Sequence, residues 1–276
     1  MSISLKDKVV LITGASSSFG QETAYLFAQE GCKVVLAARR IDLLQALAMQ
    51  IQKDGGEAMV VPLDAADRQE IEIMVKTVID LYGRIDIVFN NAGFIHPDWF
   101  EYNDPARDIE TQVDVNLLGV MQITRAVLPY MFNREEGHII NMSSVAGWIA
   151  PPLLSVYSAT KFGVRAFTDS LRREVAPFNI KVSGIYPGPA RTELGQRHSD
   201  GPLKKIAFLE RFFPLMDSIT VAEVVLDVAK RPCRAVIFPW YYRIAILGDW
   251  LFPWLVDWII IHFLVKRYHN PYFKDE

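Results

Sequence analysis

The feature that most constrains the fold is a repeated alternation of short apolar runs with amphipathic helical segments. The runs are rich in β-branched residues and lack polar alternation, which is typical of parallel strands buried on both faces. Strands that alternate with helices in this way form βαβ units around a parallel sheet. The predicted strands are Val9–Thr13, Lys33–Ala38, Ala58–Leu63, Ile85–Phe89, Gly137–Met142, Ile180–Tyr186 and Ala235–Ile237.

Composition narrows the classes of function. The chain has 276 residues, of which 51% are hydrophobic, so it can build a large core. A formal net charge of −3 without a basic block argues against nucleic acid as a partner. Two cysteines, Cys32 and Cys233, cannot form a disulfide framework and fit a reducing compartment. The first eight residues lack an apolar signal core, so we expect a cytoplasmic protein. No metal site is predicted.

A glycine-bearing turn follows the first strand and precedes a helical segment from Gln21 to Gln29. In this context the free N–H groups at the start of the helix point at an anion, and the helix dipole adds to the attraction. The turn therefore predicts a phosphate site for a cofactor, with the candidate residues Gly14, Ser16, Ser17, Ser18, Phe19 and Gly20.

The end of the second strand indicates which cofactor is preferred. Many NAD-binding folds place an acid there, to bind the ribose 2′-hydroxyl. Here Ala38 is followed by Arg39 and Arg40, and two guanidinium groups suit a 2′-phosphate. The pattern favours NADP(H), unless one or both arginines are surface residues of the next helix.

Tyr157 and Lys161 are four residues apart on a predicted helix, which places them on one face, one turn apart. We expect the ammonium to lower the pKa of the phenol, which would let the pair act as a general acid and base. Ser144 follows the fifth strand and can converge on the same pocket. The alternative is a solvated surface pair.

Taken in order, these motifs resemble the short-chain dehydrogenase/reductase family over about residues 5–238. The motifs are Thr13-Gly14 through Gly20, Asp64, Asn90-Asn91-Ala92-Gly93, Asn116, Ser144, Tyr157 with Lys161, and Pro187-Gly188 with Thr192. The resemblance implies a doubly wound Rossmann fold, with seven mostly parallel strands and helices on both faces.

One position departs from the family pattern, because Ser18 stands where glycine is usual. Its Cβ would weaken cofactor binding, or its hydroxyl would donate to a phosphate.

The resemblance also implies a role for each site residue. Tyr157 would be the general acid/base, with Lys161 holding the nicotinamide ribose and Ser144 the substrate oxygen. Asn116 would hold a relay water, or would be satisfied by backbone. Asp64 and Ala65 would contact adenine, although Asp64 could instead cap a helix that starts at Ala66. The remaining cofactor residues would be Asn91, Ala92 and Gly93 at the adenosine ribose, Ala190 and Thr192 at the carboxamide, and the neighbouring Pro187 and Gly188.

Residues 239–276 extend beyond a minimal catalytic domain of residues 1–238. Four of the six tryptophans lie in this segment, which is apolar but interrupted by charges and by Pro253. We expect two short amphipathic helices that lie at a membrane interface through residues 239–267 without spanning it. The alternative is that they cover the substrate cleft or a subunit interface, since a homodimer or homotetramer is expected.

The residues around the predicted site are largely apolar. They indicate a hydrophobic alcohol or carbonyl substrate (a steroid, retinoid, fatty or aromatic compound), and a lid is expected over about 189–218. Two alternatives remain: a cofactor-sensing protein with little turnover, and a membrane-attached scaffold. The pocket candidates are Phe94, Ile95, His96, Trp99, Trp148, Ile149, Leu153, Leu154, Phe208, Phe212 and Phe213.

Overall fold

The sheet contains seven strands, and every neighbouring pair is parallel. The computed structural model describes residues 3–191, 215–266 and 269. Along the sheet the order is β3-β2-β1-β4-β5-β6-β7, so the predicted Rossmann architecture is confirmed. The strands are β1 (Val9–Thr13), β2 (Lys33–Ala38), β3 (Glu57–Pro62), β4 (Ile87–Asn90), β5 (Gly137–Met142), β6 (Ile180–Pro187) and β7 (Ala235–Phe238).

Helices connect successive strands and cover both faces of the sheet. One connection, between β4 and β5, is a long helical stretch with π-helical segments at Pro105–Glu110 and Asp114–Leu118. The α-helices are α1 (Ser18–Gln29), α2 (Ile41–Lys53), α3 (Arg68–Tyr82), α4 (Thr111–Val113), α5 (Gly119–Phe132), α6 (Ser155–Glu174), α7 (Ser218–Lys230), α8 (Tyr241–Leu251) and α9 (Pro253–Ile260).

The strands are buried because apolar layers pack against them from both sides. In β1, Val10 and Ile12 belong to one core cluster, whereas Val9 and Leu11 belong to the other. This division follows the alternation of side chains along a strand. A strand buried on both faces needs apolar residues at every position, which is why β1 reads as a continuous apolar run.

The start of α3 differs from the prediction. Asp67, not Asp64, is its N-cap residue, because the Asp67 side chain accepts hydrogen bonds from the N–H groups of Gln69 and Glu70. The helix therefore begins at Arg68, and the N-cap interpretation of Asp64 is wrong.

The predicted lid lies mostly outside the described residues, but its two ends are described and adjacent. The N–H of Arg191 donates to the Met216 carbonyl at 2.8 Å, and the N–H of Met216 donates to the Pro189 carbonyl at 3.0 Å. The two described ends of this segment therefore lie together beside the end of β6.

Two short helices follow β7 and are separated by a break beside Pro253, as predicted. Among the described residues no single helix is long and apolar enough to cross a membrane. Tyr241–Leu251 and Pro253–Val265 satisfy the length and composition criteria only as a pair, and they are bent by 106° at the break.

Candidate active site

The predicted site residues gather where β1, β4, β5 and β6 end. The chain passes from β3 at one edge of the sheet to β4 beside β1, so the strand order reverses between β1 and β4. In doubly wound folds the crevice at such a reversal is the usual ligand site. Gly14, Asn91, Ser144 and Gly188 all follow the carboxyl ends of these strands.

The loops after β1 and β4 are fastened together by hydrogen bonds. Asn91 Nδ2 donates to the carbonyls of Thr13 at 3.0 Å and Gly14 at 3.3 Å. Thr13 Oγ1 accepts from the N–H groups of Asn91 and Ala92, each at 3.0 Å. Gly14 has φ +66°, and a Cβ on it would lie 2.9 Å from Ala92 Cα. Only glycine fits there, so the predicted cofactor residues of both loops form one unit.

The glycine turn leads directly into α1 and fits a bound phosphate. A Cβ on Gly20 would lie 2.4 Å from the Gly14 carbonyl oxygen, so the turn is too tight for any side chain at this position. The N-cap residue Ser17 makes no side-chain capping bond. The first N–H groups of a helix have no acceptor within the helix, and those near Ser16 and Phe19 are suited to an anion.

Ser18 has a left-handed backbone, with φ +41°. Left-handed conformations cost a residue with a Cβ about 1–2 kcal/mol and cost glycine almost nothing. The departure from the family pattern is therefore a source of backbone strain at the first residue of α1.

The two arginines after β2 occupy different environments. Arg40 Nη2 donates to the Ser16 carbonyl at 2.9 Å, which places its guanidinium against the glycine turn. Arg39 is exposed, with Nη1 3.9 Å from Asp64 Oδ2. Arg40 is thus a structural partner of the turn, whereas Arg39 is the more accessible cation for a phosphate.

Asp64 and Ala65 lie beside this end of the site, after β3. Asp64 Oδ1 accepts from the N–H of Ala66 at 3.0 Å, and its own N–H donates to Glu70 Oε2 at 2.5 Å. Ala65 is buried, and a Cβ on Gly119 would lie 2.5 Å from its carbonyl oxygen. The Asp64 carboxylate is accessible to a ligand, whereas Ala65 packs against α5.

Tyr157 and Lys161 lie one turn apart on α6, and Ser144 lies beside them after β5. Lys161 is buried, and its Nζ is 5.5 Å from the centroid of the Tyr157 ring. Lys161 Nζ donates to the Met142 carbonyl at 3.1 Å, and the hydroxyl of Ser144 hydrogen-bonds that of Tyr157. The structure brings these three predicted residues together, so the solvated surface pair is excluded.

The predicted lowering of the Tyr157 pKa is wrong for the free chain. Loss of solvent raises the pKa of Tyr157 to about 12, and the hydrogen bond with Ser144 only partly opposes this. Burial also lowers the pKa of Lys161 from 10.5 to about 8. Spacing along the helix indicated that the two groups are close, but it did not reveal that Lys161 is buried and Tyr157 half-buried.

Asn116 lies in the second π-helical segment and holds the loop after β4. Its Oδ1 accepts from the N–H of Phe94 at 2.8 Å, and its Nδ2 donates to the Phe94 carbonyl at 2.7 Å. A Cβ on Gly93 would lie 2.9 Å from Asn116 Oδ1 and 3.6 Å from Lys161 Nζ. The Asn116 side chain therefore bonds the backbone, as both the relay and the backbone interpretation require, and the residue lies close to Lys161.

A buried polar stripe beside Asn116 was missed by the sequence analysis. Asp108 Oδ2 lies 3.5 Å from His96 Nε2, and Gln112 Oε1 accepts from the His96 N–H at 3.2 Å. The signal was present in the sequence, because residues 108, 112 and 116 follow helical i, i+4, i+8 spacing. These side chains fix the position of His96 in the loop after β4.

The pocket candidates are only partly brought together. The N–H of Asp98 donates to the Leu153 carbonyl at 3.0 Å, which joins the loop after β4 to the segment before α6. The Arg165 guanidinium stacks over Trp148, with its Cζ 3.2 Å from the centroid of the Trp148 ring. Phe94, Ile95, Trp99, Ile149 and Leu154 are half-buried. Thr192, Phe208, Phe212 and Phe213 lie outside the described residues.

Pro187 ends β6, and the residues after it contact the C-terminal segment. The N–H of Gly188 donates to the Phe238 carbonyl at 2.9 Å, and a Cβ on Gly188 would lie 2.4 Å from Tyr242 Cε2. Ala190 forms an isolated bridge with Met216. Gly188 is therefore needed for the packing of α8, besides any contact that it makes with a cofactor.

This arrangement agrees with comparison to known families. The family model described as short chain dehydrogenase matches residues 8–202, most of the chain. The chain belongs to the short-chain dehydrogenase family. The predicted resemblance is thereby confirmed. Members of this family are oxidoreductases that bind a nicotinamide cofactor.

Relatives and solved structures agree. An uncharacterized oxidoreductase of Staphylococcus saprophyticus is 39% identical over 203 residues, which cover 73% of this chain and 81% of that protein. A dehydrogenase/reductase SDR family protein 7-like of Anopheles gambiae is 43% identical over 201 residues, 69% of this chain and 61% of that protein. A short chain dehydrogenase/reductase from Burkholderia phymatum in complex with NAD has a TM-score of 0.83 at 23% identity, covering 92% of this chain and 96% of that one.

Proposed function

We propose that this protein is an NADP(H)-dependent oxidoreductase that interconverts a secondary alcohol and a carbonyl on a hydrophobic substrate. The observation that carries the proposal is the convergence of Tyr157, Lys161 and Ser144 beside a glycine turn that fits a phosphate. A phenol, an ammonium and a hydroxyl in one crevice can bind a substrate oxygen and exchange a proton with it.

The chain's own residues would handle the substrate oxygen. A bound nicotinamide cofactor would supply or accept a hydride at the substrate carbon. During reduction the Tyr157 phenol would donate its proton to the carbonyl oxygen, and during oxidation the phenolate would take a proton from the alcohol. Ser144 would hydrogen-bond the same oxygen as charge develops on it. The Lys161 ammonium would favour the phenolate and hold cofactor ribose hydroxyls.

Protonation in the free chain suits the reductive direction at neutral pH. With the pKa of Tyr157 raised to about 12, the phenol carries its proton and is ready to donate it. Oxidation needs the phenolate, so we expect its rate to rise with pH. A pH profile of kcat/KM in both directions would test this: oxidation that did not rise between pH 7 and 9 would contradict the role of Tyr157 as the base.

The preference for NADP(H) is supported by the charges after β2. The residue directly after Ala38 is Arg39 and not an acid, and its exposed guanidinium is accessible to a 2′-phosphate. Arg40 supports the turn that would hold the pyrophosphate, through its bond to the Ser16 carbonyl. Charge-assisted contacts of this kind contribute about 1.5–3 kcal/mol, which corresponds to roughly tenfold or more discrimination against NADH.

A hydrophobic substrate is supported by the apolar residues of two segments beside the site, which a hydrogen bond from Asp98 to Leu153 joins. Phe94, Ile95 and Trp99 follow β4, and Leu153 and Leu154 precede α6. Apolar walls with few polar groups select apolar ligands. We propose steroids, retinoids, and fatty or aromatic alcohols and carbonyls as the substrate class.

Location and assembly are also proposals. Cys32 and Cys233 are free thiols, which fits a cytoplasmic site for the catalytic domain of residues 1–238. A homodimer or homotetramer remains the expected assembly. Light scattering of the purified chain would test it, because a monomer at all concentrations would contradict the expectation.

The direct test is spectrophotometric. The full-length chain would be incubated with NADPH or NADH and a panel of ketones and aldehydes graded by hydrophobicity, and absorbance of the reduced cofactor followed. We expect oxidation of NADPH with apolar carbonyls and none with Tyr157→Phe. Turnover only with small hydrophilic carbonyls, or equal use of both cofactors, would contradict the proposal.

A second candidate is a cofactor-binding protein with little turnover. The strained backbone of Ser18 in the phosphate turn favours this possibility. Calorimetric binding of NADPH without oxidation of the cofactor, by any carbonyl in the panel, would establish it. Restoration of turnover by Ser18→Gly would identify the strain as the cause.

A further inference from the structure

The C-terminal helices α8 and α9, with the helical segment that follows them, expose an unusually large number of bulky apolar side chains to solvent. Trp250 is 76% exposed, Trp254 is 68% exposed, and Trp258 and Phe263 are more than half exposed. Monomeric proteins rarely present such side chains as a contiguous patch, because their burial is worth about 25 cal/mol per Å². Burial of this surface against a partner would therefore be favourable.

The exposed side chains surround most of α9. Only Val256 and Ile260, one turn apart, are half-buried, and the other six residues of the helix are exposed. In the exposed part, Trp254 and Trp258 lie on the side opposite Val256 and Ile260, and Leu255 and Ile259 lie on one flank. A second protein surface packs against one side of a helix, whereas lipid surrounds all sides that do not touch the protein. The distribution around α9 favours lipid.

The dimensions fit one leaflet of a bilayer. Pro253–Val265 rises about 20 Å if helical throughout, and the hydrocarbon core of a bilayer is about 30 Å thick. The bend of 106° turns α8 away from α9, so the two cannot add their lengths along one axis. We propose that α8 and α9 insert together into one leaflet of a lipid bilayer and anchor the protein there without crossing it.

The charged side chains are compatible with this depth. Arg243 is exposed on α8, and Lys266 ends the helical stretch, with its Nζ 3.2 Å from His262 Nε2. Both cations can reach lipid phosphates. Asp249 is half-buried, and Asp257 is exposed beside Val256, at the margin of the side that faces the protein. A spanning arrangement would place a carboxylate near the bilayer centre, at a cost of about 2.5–3.5 kcal/mol on insertion scales.

Both ends of the helix pair are fastened to loops of the candidate active site. At one end Tyr242 is buried against Gly188, after β6. At the other end His269 stacks on Trp99, with ring centroids 3.9 Å apart, and its Nε2 lies 2.5 Å from Glu101 Oε1. Insertion of the helices would therefore hold the carboxyl edge of the sheet, where the substrate loop lies, close to the bilayer surface.

Flotation of the full-length protein with vesicles tests the proposal. Vesicles of equimolar phosphatidylcholine and phosphatidylglycerol would be compared for wild type, Trp254→Glu/Trp258→Glu, and a matched control, Ile73→Glu/Leu81→Glu, which changes two exposed apolar residues of α3. We expect wild type and control to float. The tail variant should lose about tenfold or more in partitioning, with unchanged circular dichroism and Tm.

Three outcomes would overturn the proposal. Wild type that does not float excludes lipid as the partner. Flotation of the tail variant equal to that of wild type excludes these helices as the anchor. A wild-type dimer in light scattering, which the tail variant converts to a monomer without any lipid binding, assigns the surface to a second copy of the chain.

Depth is tested separately with brominated lipids, because four of the six tryptophans lie in the tail. For helices in one leaflet, bromines near the headgroups should quench wild-type tryptophan fluorescence more strongly than bromines near the bilayer centre. Stronger quenching by the deep bromines would show that the helix pair crosses the bilayer, and the single-leaflet proposal would be wrong.

Discussion

Replacing Lys161 with methionine should abolish turnover. It should also change the free energy of unfolding by an amount that depends on pH, because the buried ammonium destabilises the folded wild type. Lys161 is 4% exposed, and burial lowers its pKa from 10.5 to about 8. One pKa unit corresponds to 1.36 kcal/mol, so keeping the buried ammonium charged at pH 7 costs the folded state about 3 kcal/mol.

The sign follows from proton binding in the two states. Between pH 8 and pH 10.5 the unfolded chain keeps the Lys161 proton while the folded chain releases it. The unfolded state then binds more protons, so the wild-type free energy of unfolding rises with pH across this window. The Lys161→Met chain lacks this contribution. Wild type should therefore gain about 2–3 kcal/mol relative to the variant between pH 7 and pH 10.

The hydrogen bond to the Met142 carbonyl does not affect this result. Losing the bond costs the variant about 1 kcal/mol. The part of that cost that changes as the donor loses its proton is already contained in the folded-state pKa, and the rest shifts only the absolute difference. Urea unfolding followed by tryptophan fluorescence at pH 7, 8, 9 and 10 would measure the change. Lys181→Met, at an exposed position on β6, is the matched control and should differ from wild type equally at all four values. A difference between wild type and Lys161→Met that stays constant with pH would refute the argument.

Three further outcomes are expected. Tyr157→Phe should remove turnover while leaving the Kd for NADPH within a few-fold of wild type, because the ring still packs; near-normal kcat would exclude Tyr157 as the acid/base. Arg39→Ala/Arg40→Ala should lose most of an NADPH preference of roughly tenfold, and an unchanged ratio of kcat/KM values would assign that preference elsewhere. Ser18→Gly should raise the free energy of unfolding by up to about 1 kcal/mol, and a loss of stability would mean that its hydroxyl outweighs the backbone strain.

Most of the fold was predictable because its strands are buried on both faces. A run such as Val9–Thr13, with every residue buried, leaves a continuous apolar signal in the sequence. Gly137–Met142 was predicted with the same bounds that the structure has. Helix starts were harder, because Asp64 and Asp67 are both good capping residues. Only the path of the chain decides that Asp67 caps α3.

The residues of the candidate site could be named from the sequence, but their energetics could not. Spacing places Tyr157 one turn from Lys161. It does not show how much water either group retains, and this sets the direction of both pKa shifts. The pairing of His96 with Asp108 likewise depends on a loop folding onto a helix, which local patterns do not encode. The roles of these residues stay predictions until variants are assayed.

Buried charges at the amino ends and at the carboxyl ends of the strands are in opposite situations. At the amino ends the charge is paired, and at the carboxyl ends no carboxylate of the described residues pairs with it, which supports the location of the site. At the amino edge, burial alone would raise the pKa of Asp86, but hydrogen bonds from Arg84, Val9 and Arg134 lower it overall. That charge is fully paired and contributes to the fold. At the carboxyl edge, Lys161 is buried, donates a hydrogen bond to the Met142 carbonyl and has a lowered pKa. Methionine at position 161 would be more stable than a buried lysine. The presence of this destabilising charge is therefore evidence that the reaction takes place at the carboxyl ends of the strands, as we propose.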